Sequence, residues 1–233
     1  NLSMMYYPNI ELISPDSTGI IRTKLNKEQL KPIWDNVKEI EKDFDAHSNQ
    51  SANGGLVGHI QKEFWLKEET SRYLDSFILP LIQKHTETYD YVHKQPTFRK
   101  EFGGMALDNT QLPVIGSQFW VNFMAKHEFN PVHFHDGLFS FVLWLKAPYD
   151  LIDEHNHPIV RNATGIKKPG AFYYIRSDMA TGIDSDIIQV DRSNEGGLIL
   201  FPSKLNHGVY PFYTSDEYRI SISGNYSFDL SSI

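Results

Sequence analysis

Residues 118–148, QFWVNFMAKHEFNPVHFHDGLFSFVLWLKAP, form the stretch that decides how this chain folds. Two histidines, His133 and His135, stand at alternate positions, and Asp136 and an apolar run follow them. Because residues two apart in a strand point to the same side, both imidazoles can be directed at one point, as a metal site requires. Asp136 points the other way unless the chain bends at Gly137.

A second segment, residues 196–228, complements the first. It reads GGLILFPSKLNHGVYPFYTSDEYRISISGNYSF and contains a third histidine, His207, followed by Arg219 and Ser221. Alternate positions from Arg219 onward are polar, and the positions between them begin with two isoleucines. A polar strand face that includes an arginine suits a pocket for an anion.

The composition limits the fold and the chemistry. A chain of 233 residues with 40% hydrophobic residues can bury one sizeable core. Cysteine is absent, so any metal site must use histidines and carboxylates, which suit Fe, Mn or Zn better than a soft metal. The formal net charge of −7 disfavours binding to a nucleic-acid backbone, and no apolar stretch is long enough to span a membrane.

Apolar periodicity predicts two main helices, at about 27–45 and 67–93, with Asn26 as the N-cap of the first and Pro80 kinking or splitting the second. From residue 96 onward, short apolar runs alternate with turn formers. The predicted strands are 97–107, 117–125, 132–147, 171–176, 186–190, 196–202, 207–213 and 217–228.

About eight strands of this kind fit a sandwich or jelly roll. We therefore expect a mainly β protein with flanking α-helices, in which a sandwich or jelly roll carries the two N-terminal helices on one sheet. The chain should form a single domain, 1–233, with an arm and supporting helices in 1–95 and the β core in 96–233.

The motifs of the C-terminal half resemble those of the 2-oxoglutarate/Fe(II)-dependent dioxygenases. The order is H-x-H, a long gap, then G-x-L-x-x-F-P-S-x-x-x-H-x-V-x-P, then R-x-S, and the part from Phe201 to Ser223 is the most specific. Residues 130–135 follow the pattern N-x-x-H-x-H, which is similar to a bacterial and phage-type branch of that superfamily. The resemblance implies a double-stranded β-helix, the cupin-like form of the jelly roll.

The resemblance also implies the metal ligands. His133 matches the first ligand and His207 the last, whereas His135 stands where the family usually has Asp or Glu. Either three histidines bind the metal, or a bulge brings Asp136 into place; the alternation along the strand favours His135. A three-histidine set lacks the negative charge of a carboxylate, which changes the metal preference and redox potential. A second H-x-H in residues 155–157 lies in a predicted loop and competes as a metal site.

In the same way, the resemblance assigns Arg219 to the distal carboxylate of 2-oxoglutarate, with Ser221 donating a hydroxyl to it. The alternative is that Arg219 pairs at the surface with Asp216 or Glu217. Asn122 lies on the preceding strand and reaches the cosubstrate if that face looks inward.

The implied activity is hydroxylation of an organic substrate with Fe(II) and 2-oxoglutarate, with release of succinate and CO2. One alternative is a three-histidine, cupin-like dioxygenase that does not use 2-oxoglutarate, and another is a non-enzymatic jelly-roll module for binding or structure. We expect a small-molecule or peptidyl substrate, no nucleic acid, no membrane and a cytoplasmic location in a bacterial or phage-infected cell. Exposed strand edges leave a homodimer open.

Overall fold

In a computed structural model, which describes residues 11–12, 19–89, 91–102, 114–178 and 182–232, the chain forms two antiparallel β-sheets and five α-helices within those ranges. The strands are β1 (Glu11–Leu12), β2 (Ile21–Lys24), β3 (Glu63–Trp65), β4 (Val114–Gly116), β5 (Trp120–Met124), β6 (Asn130–His133), β7 (Phe139–Lys146), β8 (Phe172–Asp178), β9 (Gly182–Ile188), β10 (Gly197–Pro202), β11 (His207–Val209) and β12 (Arg219–Phe228). The helices are α1 (Lys27–Lys42), α2 (Glu68–Thr88), α3 (Tyr91–Lys94), α4 (Pro96–Glu101) and α5 (Leu151–Asn156).

The larger sheet has the strand order β1-β2-β10-β7-β12-β5-β3, and β4 pairs with β12 outside this path. The smaller sheet has the order β6-β11-β8-β9. Strands β2 and β3 come from the first 95 residues, so this part of the chain supplies strands of the larger sheet as well as helices. The expected single domain, with its division at residue 95, stays a prediction.

The two main helices cover one face of the larger sheet, as predicted. Ile33 of α1 and Phe77 of α2 belong to the same buried cluster as Ile220 and Ile222 of β12. A second cluster joins the other face of the larger sheet to the smaller sheet and includes Met124, Phe172 and Phe201. The site described below is on this second, inner face, because the alternating positions of β12 point to opposite sides.

Helix α1 begins where its sequence predicts. The side chain of Asn26 accepts a hydrogen bond from the Gln29 amide at 2.9 Å, and the Gln29 side chain accepts one from the Asn26 amide at 2.8 Å. This capping box satisfies backbone donors at the first turn. Helix α2 continues through Pro80 to Thr88, and α3 follows it.

Three predictions for single elements were wrong. The strand expected at 97–107 is α4 over Pro96–Glu101, and positions 103–107 lie outside the described residues. The expected loop at 153–158 begins inside α5. The strand expected at 132–147 is two strands, β6 and β7, because the chain turns at Gly137 with φ +105°. No helix within the described ranges has the length and apolar character needed to cross a bilayer.

Gly224 of β12 is needed for the aromatic packing of the core. A Cβ at this position would lie 2.1 Å from Phe119 and 2.7 Å from Phe141, which are both buried. We expect Gly224→Ala to lower the free energy of unfolding in urea by about 2 kcal/mol, since an overpacked core must shift its rings. The matched control is Gly54→Ala, which meets no atom within 4 Å. Equal stabilities for the two variants would contradict this account.

His85 of α2 makes the stability depend on pH. Its ring is fully buried beside Tyr89, Tyr91 and Phe139, and burial lowers its pKa to about 4. Protonation below its unfolded pKa of about 6.5 therefore favours the unfolded chain, and the associated stability is lost as the pH falls from about 6.5 to about 4. Between pH 8 and pH 5 we expect metal-free wild type to lose about 2 kcal/mol more than His85→Leu in urea unfolding. Parallel curves for the two proteins would refute this.

Candidate metal centre and anion pocket

Three histidines come together where the two sheets face each other. His133 ends β6 and pairs directly with His207, the first residue of β11. His135 lies two residues beyond β6, where its amide donates to the Ser203 carbonyl at 2.9 Å. One ligand nitrogen from each of the three histidines lies within 4.8 Å of the others. The structure thus brings together the three sequence-predicted histidines.

The cluster fits a divalent transition-metal ion. The Nδ1 atoms of His133 and His207 lie 2.7 Å from the Pro131 carbonyl and 2.8 Å from the Leu205 carbonyl, so Nδ1–H donates and Nε2 keeps its lone pair for a metal. Burial, with a contribution from the neighbouring imidazoles, lowers the pKa of His207 to about 3 and of His135 to about 4. Burial also lowers the pKa of His133. Neutral imidazole is the form that binds a metal.

The structure does not bring Asp136 to this cluster. Its side chain is fully exposed, and Oδ1 lies 3.0 Å from Nζ of Lys204. The competing H-x-H is also elsewhere: His155 lies in α5, and the ring of His157 stacks on Tyr213 with centroids 5.1 Å apart. Within the described residues, the three-histidine cluster is the one group of three or more histidine, cysteine or acidic side chains that lie close enough together to bind one metal ion.

Arg219 is a buried cation in the same cavity as the histidines. It is 2% exposed, and Nη1 donates to the Gly170 carbonyl at 2.7 Å. It does not pair with Asp216 or Glu217, because each of these forms an ion pair with a lysine. Within the described ranges no carboxylate is within ion-pair distance of Arg219. A buried charge without an opposite charge is costly, so the site favours an anionic ligand.

Ser221 and Asn122 lie next to Arg219 on the inner face. They are register partners between β12 and β5, and the Asn122 amide nitrogen lies 3.4 Å from the Ser221 hydroxyl. Trp120 shares this face, with its ring centroid 6.0 Å from that of His135. The expected inward orientation of this strand face is therefore what the structure has, and Asn122 and Ser221 both line the cavity.

Sequence reasoning missed Glu63, which lines the same cavity. Glu63 begins β3, pairs with Asn122 and is 1% exposed. Burial, with a smaller contribution from the Glu128 carboxylate, raises the pKa of Glu63 to about 7. A strand of three residues is too short to show the alternation that reveals an inward-facing side chain, so no sequence signal marked this residue.

One family model matches the part of the chain that carries this site. Residues 118–225, slightly under half of the chain, match the family described as "Putative 2OG-Fe(II) oxygenase". No curated protein sequence matches the chain. The matched region contains all three histidines together with Asn122, Arg219 and Ser221. Over residues 118–225 the chain is therefore similar to the 2-oxoglutarate/Fe(II)-dependent oxygenases, the superfamily that its motifs resemble.

Solved structures of that superfamily share the fold. A prolyl hydroxylase from Trichoplax adhaerens, in complex with a hypoxia-inducible-factor peptide fragment, is 16% identical with a TM-score of 0.55, covering 92% of this chain and 86% of that one. A Pseudomonas putida prolyl-4-hydroxylase is 14% identical with a TM-score of 0.53, covering 91% and 94%. These similarities confirm the mainly β jelly roll with flanking helices.

A further oxygenase-family structure, an oxidoreductase from Burkholderia pseudomallei, is 19% identical with a TM-score of 0.35. The alignment covers 61% of this chain and 58% of that one.

The two candidates for the second ligand can be separated by metal binding. We expect His135→Ala to weaken Fe(II) or Co(II) binding by on the order of 100-fold or more, because one of three nitrogen donors is lost. Asp136→Asn is the matched control and should keep wild-type affinity, since this carboxylate faces Lys204. Competition with a chromogenic chelator under anaerobic conditions measures both. Loss of binding in Asp136→Asn alone would reverse the assignment.

Proposed function

We propose that this chain is an Fe(II)- and 2-oxoglutarate-dependent hydroxylase whose metal is held by His133, His135 and His207. Arg219 and Ser221 bind the distal carboxylate of 2-oxoglutarate, and Asn122 contributes to the same pocket. The observation that carries the proposal is a buried arginine with no carboxylate partner in the described residues, in one cavity with three clustered imidazoles.

When bound, Fe(II) and 2-oxoglutarate would react with O2, so that one oxygen atom enters succinate as CO2 leaves 2-oxoglutarate and the other oxygen atom becomes the hydroxyl group on a substrate carbon. The chain's own residues act by position and charge. The three histidines would each supply one ring nitrogen to the metal, and backbone carbonyls at the Nδ1 atoms of His133 and His207 fix those two rings. The guanidinium of Arg219 holds a carboxylate in a fixed orientation, and Trp120 and Phe172 exclude water from the cavity.

The two alternatives account for fewer of these features. A three-histidine dioxygenase that does not use 2-oxoglutarate has no need of a buried arginine beside the metal. A non-enzymatic module has no need to bury three imidazoles against one another, which disfavours their charged forms. Both alternatives therefore leave part of the cavity without a role.

As part of this proposal, the substrate is a small molecule or a peptidyl residue. A peptide occupies the Trichoplax adhaerens relative, which makes the peptidyl class reasonable for this fold. The net charge of −7 disfavours nucleic acid. We also propose a cytoplasmic enzyme, since a chain without cysteine is compatible with a reducing compartment.

Anaerobic titration of the Fe(II)-loaded protein with 2-oxoglutarate tests the cosubstrate. We expect a weak visible charge-transfer band, and an apparent affinity 10- to 100-fold lower, as an order of magnitude, in Arg219→Met, which has lost a charge-assisted contact. The matched control is Lys146→Met, which removes a neighbouring cation that pairs with Glu217 and should leave the band unchanged.

The other outcomes are equally informative. An unchanged band in Arg219→Met shows that the cosubstrate assignment is wrong. Iron binding without a band in the wild type favours the dioxygenase that does not use 2-oxoglutarate. If neither iron nor 2-oxoglutarate binds, the non-enzymatic module is the better description.

A further inference from the structure

The carboxylate of Glu63 lies in the cavity without a cationic partner. Glu63 lies in β3, and Asn53 Nδ2 donates a long hydrogen bond of 3.4 Å to Oε2 of Glu63. Within the described residues, no lysine, arginine or histidine is within ion-pair distance, and Oε1 has no hydrogen-bond donor. A carboxylate that is 1% exposed and receives one long hydrogen bond has lost water and gained little in its place.

A second unpaired oxygen lies beside it. Oδ1 of Asn130 is buried and has no hydrogen-bond partner among the described residues. Gly58 separates the two side chains: a Cβ on Gly58 would lie 2.4 Å from Asn130 Oδ1 and 3.2 Å from Glu63 Oε1. Both oxygens thus lie close to the Gly58 backbone, and all three residues line the cavity, so a donor nitrogen that enters the cavity beside Gly58 can reach both oxygens.

We infer that Glu63 and Asn130 form a subsite for a protonated amine or guanidinium of the substrate. This inference rests on the proposed function and adds the chemical class of the substrate to it. When Glu63 is ionised, both free atoms are acceptors, so the ligand must donate hydrogen bonds, and its positive charge compensates the buried carboxylate.

The subsite does not suit the cosubstrate. 2-Oxoglutarate carries two carboxylates, and the Glu63 carboxylate repels an anion. Glu63, Asn122 and Ser221 are register partners across β3, β5 and β12, so two strand spacings, about 10 Å, separate Glu63 from the strand of Arg219. The cavity therefore has a cationic side for the cosubstrate and an acceptor side for the substrate.

The position of the subsite also suits a substrate that enters from solvent. Leu56 and Val57 precede Gly58 and line the cavity, and Val57 is 52% exposed. Trp120 lines the cavity on the same strand as Asn122 and also contacts His135. When the amine of a substrate binds Glu63, the rest of the substrate therefore extends along Trp120 toward the histidines.

The test compares three probes with a common five-carbon chain: pentylamine, 1-pentanol and hexanoate. Binding to the full chain is measured at pH 8 by ligand-observed NMR, with and without Fe(II) and 2-oxoglutarate under anaerobic conditions. We expect pentylamine to bind on the order of 10-fold more tightly than pentanol, and hexanoate to avoid the subsite.

Two variants remove the subsite in different ways. Glu63→Gln keeps the shape and removes the charge, and Gly58→Ala places a methyl group against both oxygens and displaces them. Each should abolish the preference for pentylamine over pentanol. Ser223→Ala is the control, because Ser223 lines the same cavity without a charge and its loss should leave the preference intact. If Glu63→Gln does not fold, as judged by circular dichroism, Gly58→Ala decides the result.

No preference for pentylamine in the wild type, or a preference that survives in both variants, overturns the inference. The 2-oxoglutarate band separates this failure from failure of the proposed function: a normal band with no amine preference refutes the subsite alone. An amine preference with no band refutes the cosubstrate and leaves the subsite. A second arm of the test replaces pentylamine with acetyl-Gly-Lys-Gly-amide. If the peptide binds more tightly than pentylamine, the amine of the substrate is a lysyl side chain. If it binds more weakly, the substrate is a free amine.

Discussion

The antiparallel pairing of β6 with β11 is the constraint on which the site depends. It places His133 opposite His207, although 73 residues separate them in the chain. A shift of one residue would turn His207 to the other face of the sheet, but β11 also pairs with β8, which holds its register from the second side. Burial lowers the pKa of His133 and of His207, which favours their neutral imidazoles. The His135 amide donates to the Ser203 carbonyl, and this contact holds the His135 ring beside the other two.

Strand β12 joins the packing of the protein to its chemistry. Ile220 and Ile222 pack under the helices, and Arg219 and Ser221 on alternate positions face the cavity. Burial of the two isoleucines holds β12 in place. It therefore also fixes the position of the Arg219 guanidinium, with no further loss of backbone entropy. Because β12 pairs with both β5 and β7 along most of its length, the arginine cannot move to the surface to meet Asp216 or Glu217.

In the proposed enzyme, the absence of a carboxylate ligand changes the electrostatics of the site. Three neutral imidazoles leave the charge of a divalent ion uncompensated, whereas a carboxylate ligand neutralises part of it. The nearest acid in the sequence, Asp136, faces Lys204 at the surface, and Glu63 is not part of the histidine cluster. An anionic cosubstrate then compensates both the metal and Arg219, which makes its binding and that of the metal favour each other.

The sequence by itself determined the features that repeat along an element: the cap of α1 at Asn26, the two-faced pattern of β12 and the alternating histidines. It could not determine that Pro96–Glu101 is a helix or that Glu63 faces the cavity, because short elements lack enough residues to show a period. Which partner each charge takes was decided only by the tertiary structure. Asp136 faces Lys204, Arg219 has no carboxylate within ion-pair distance among the described residues, and Glu63 and Asn130 both lie beside Gly58. Strand register brings together, or separates, residues that are far apart in the chain.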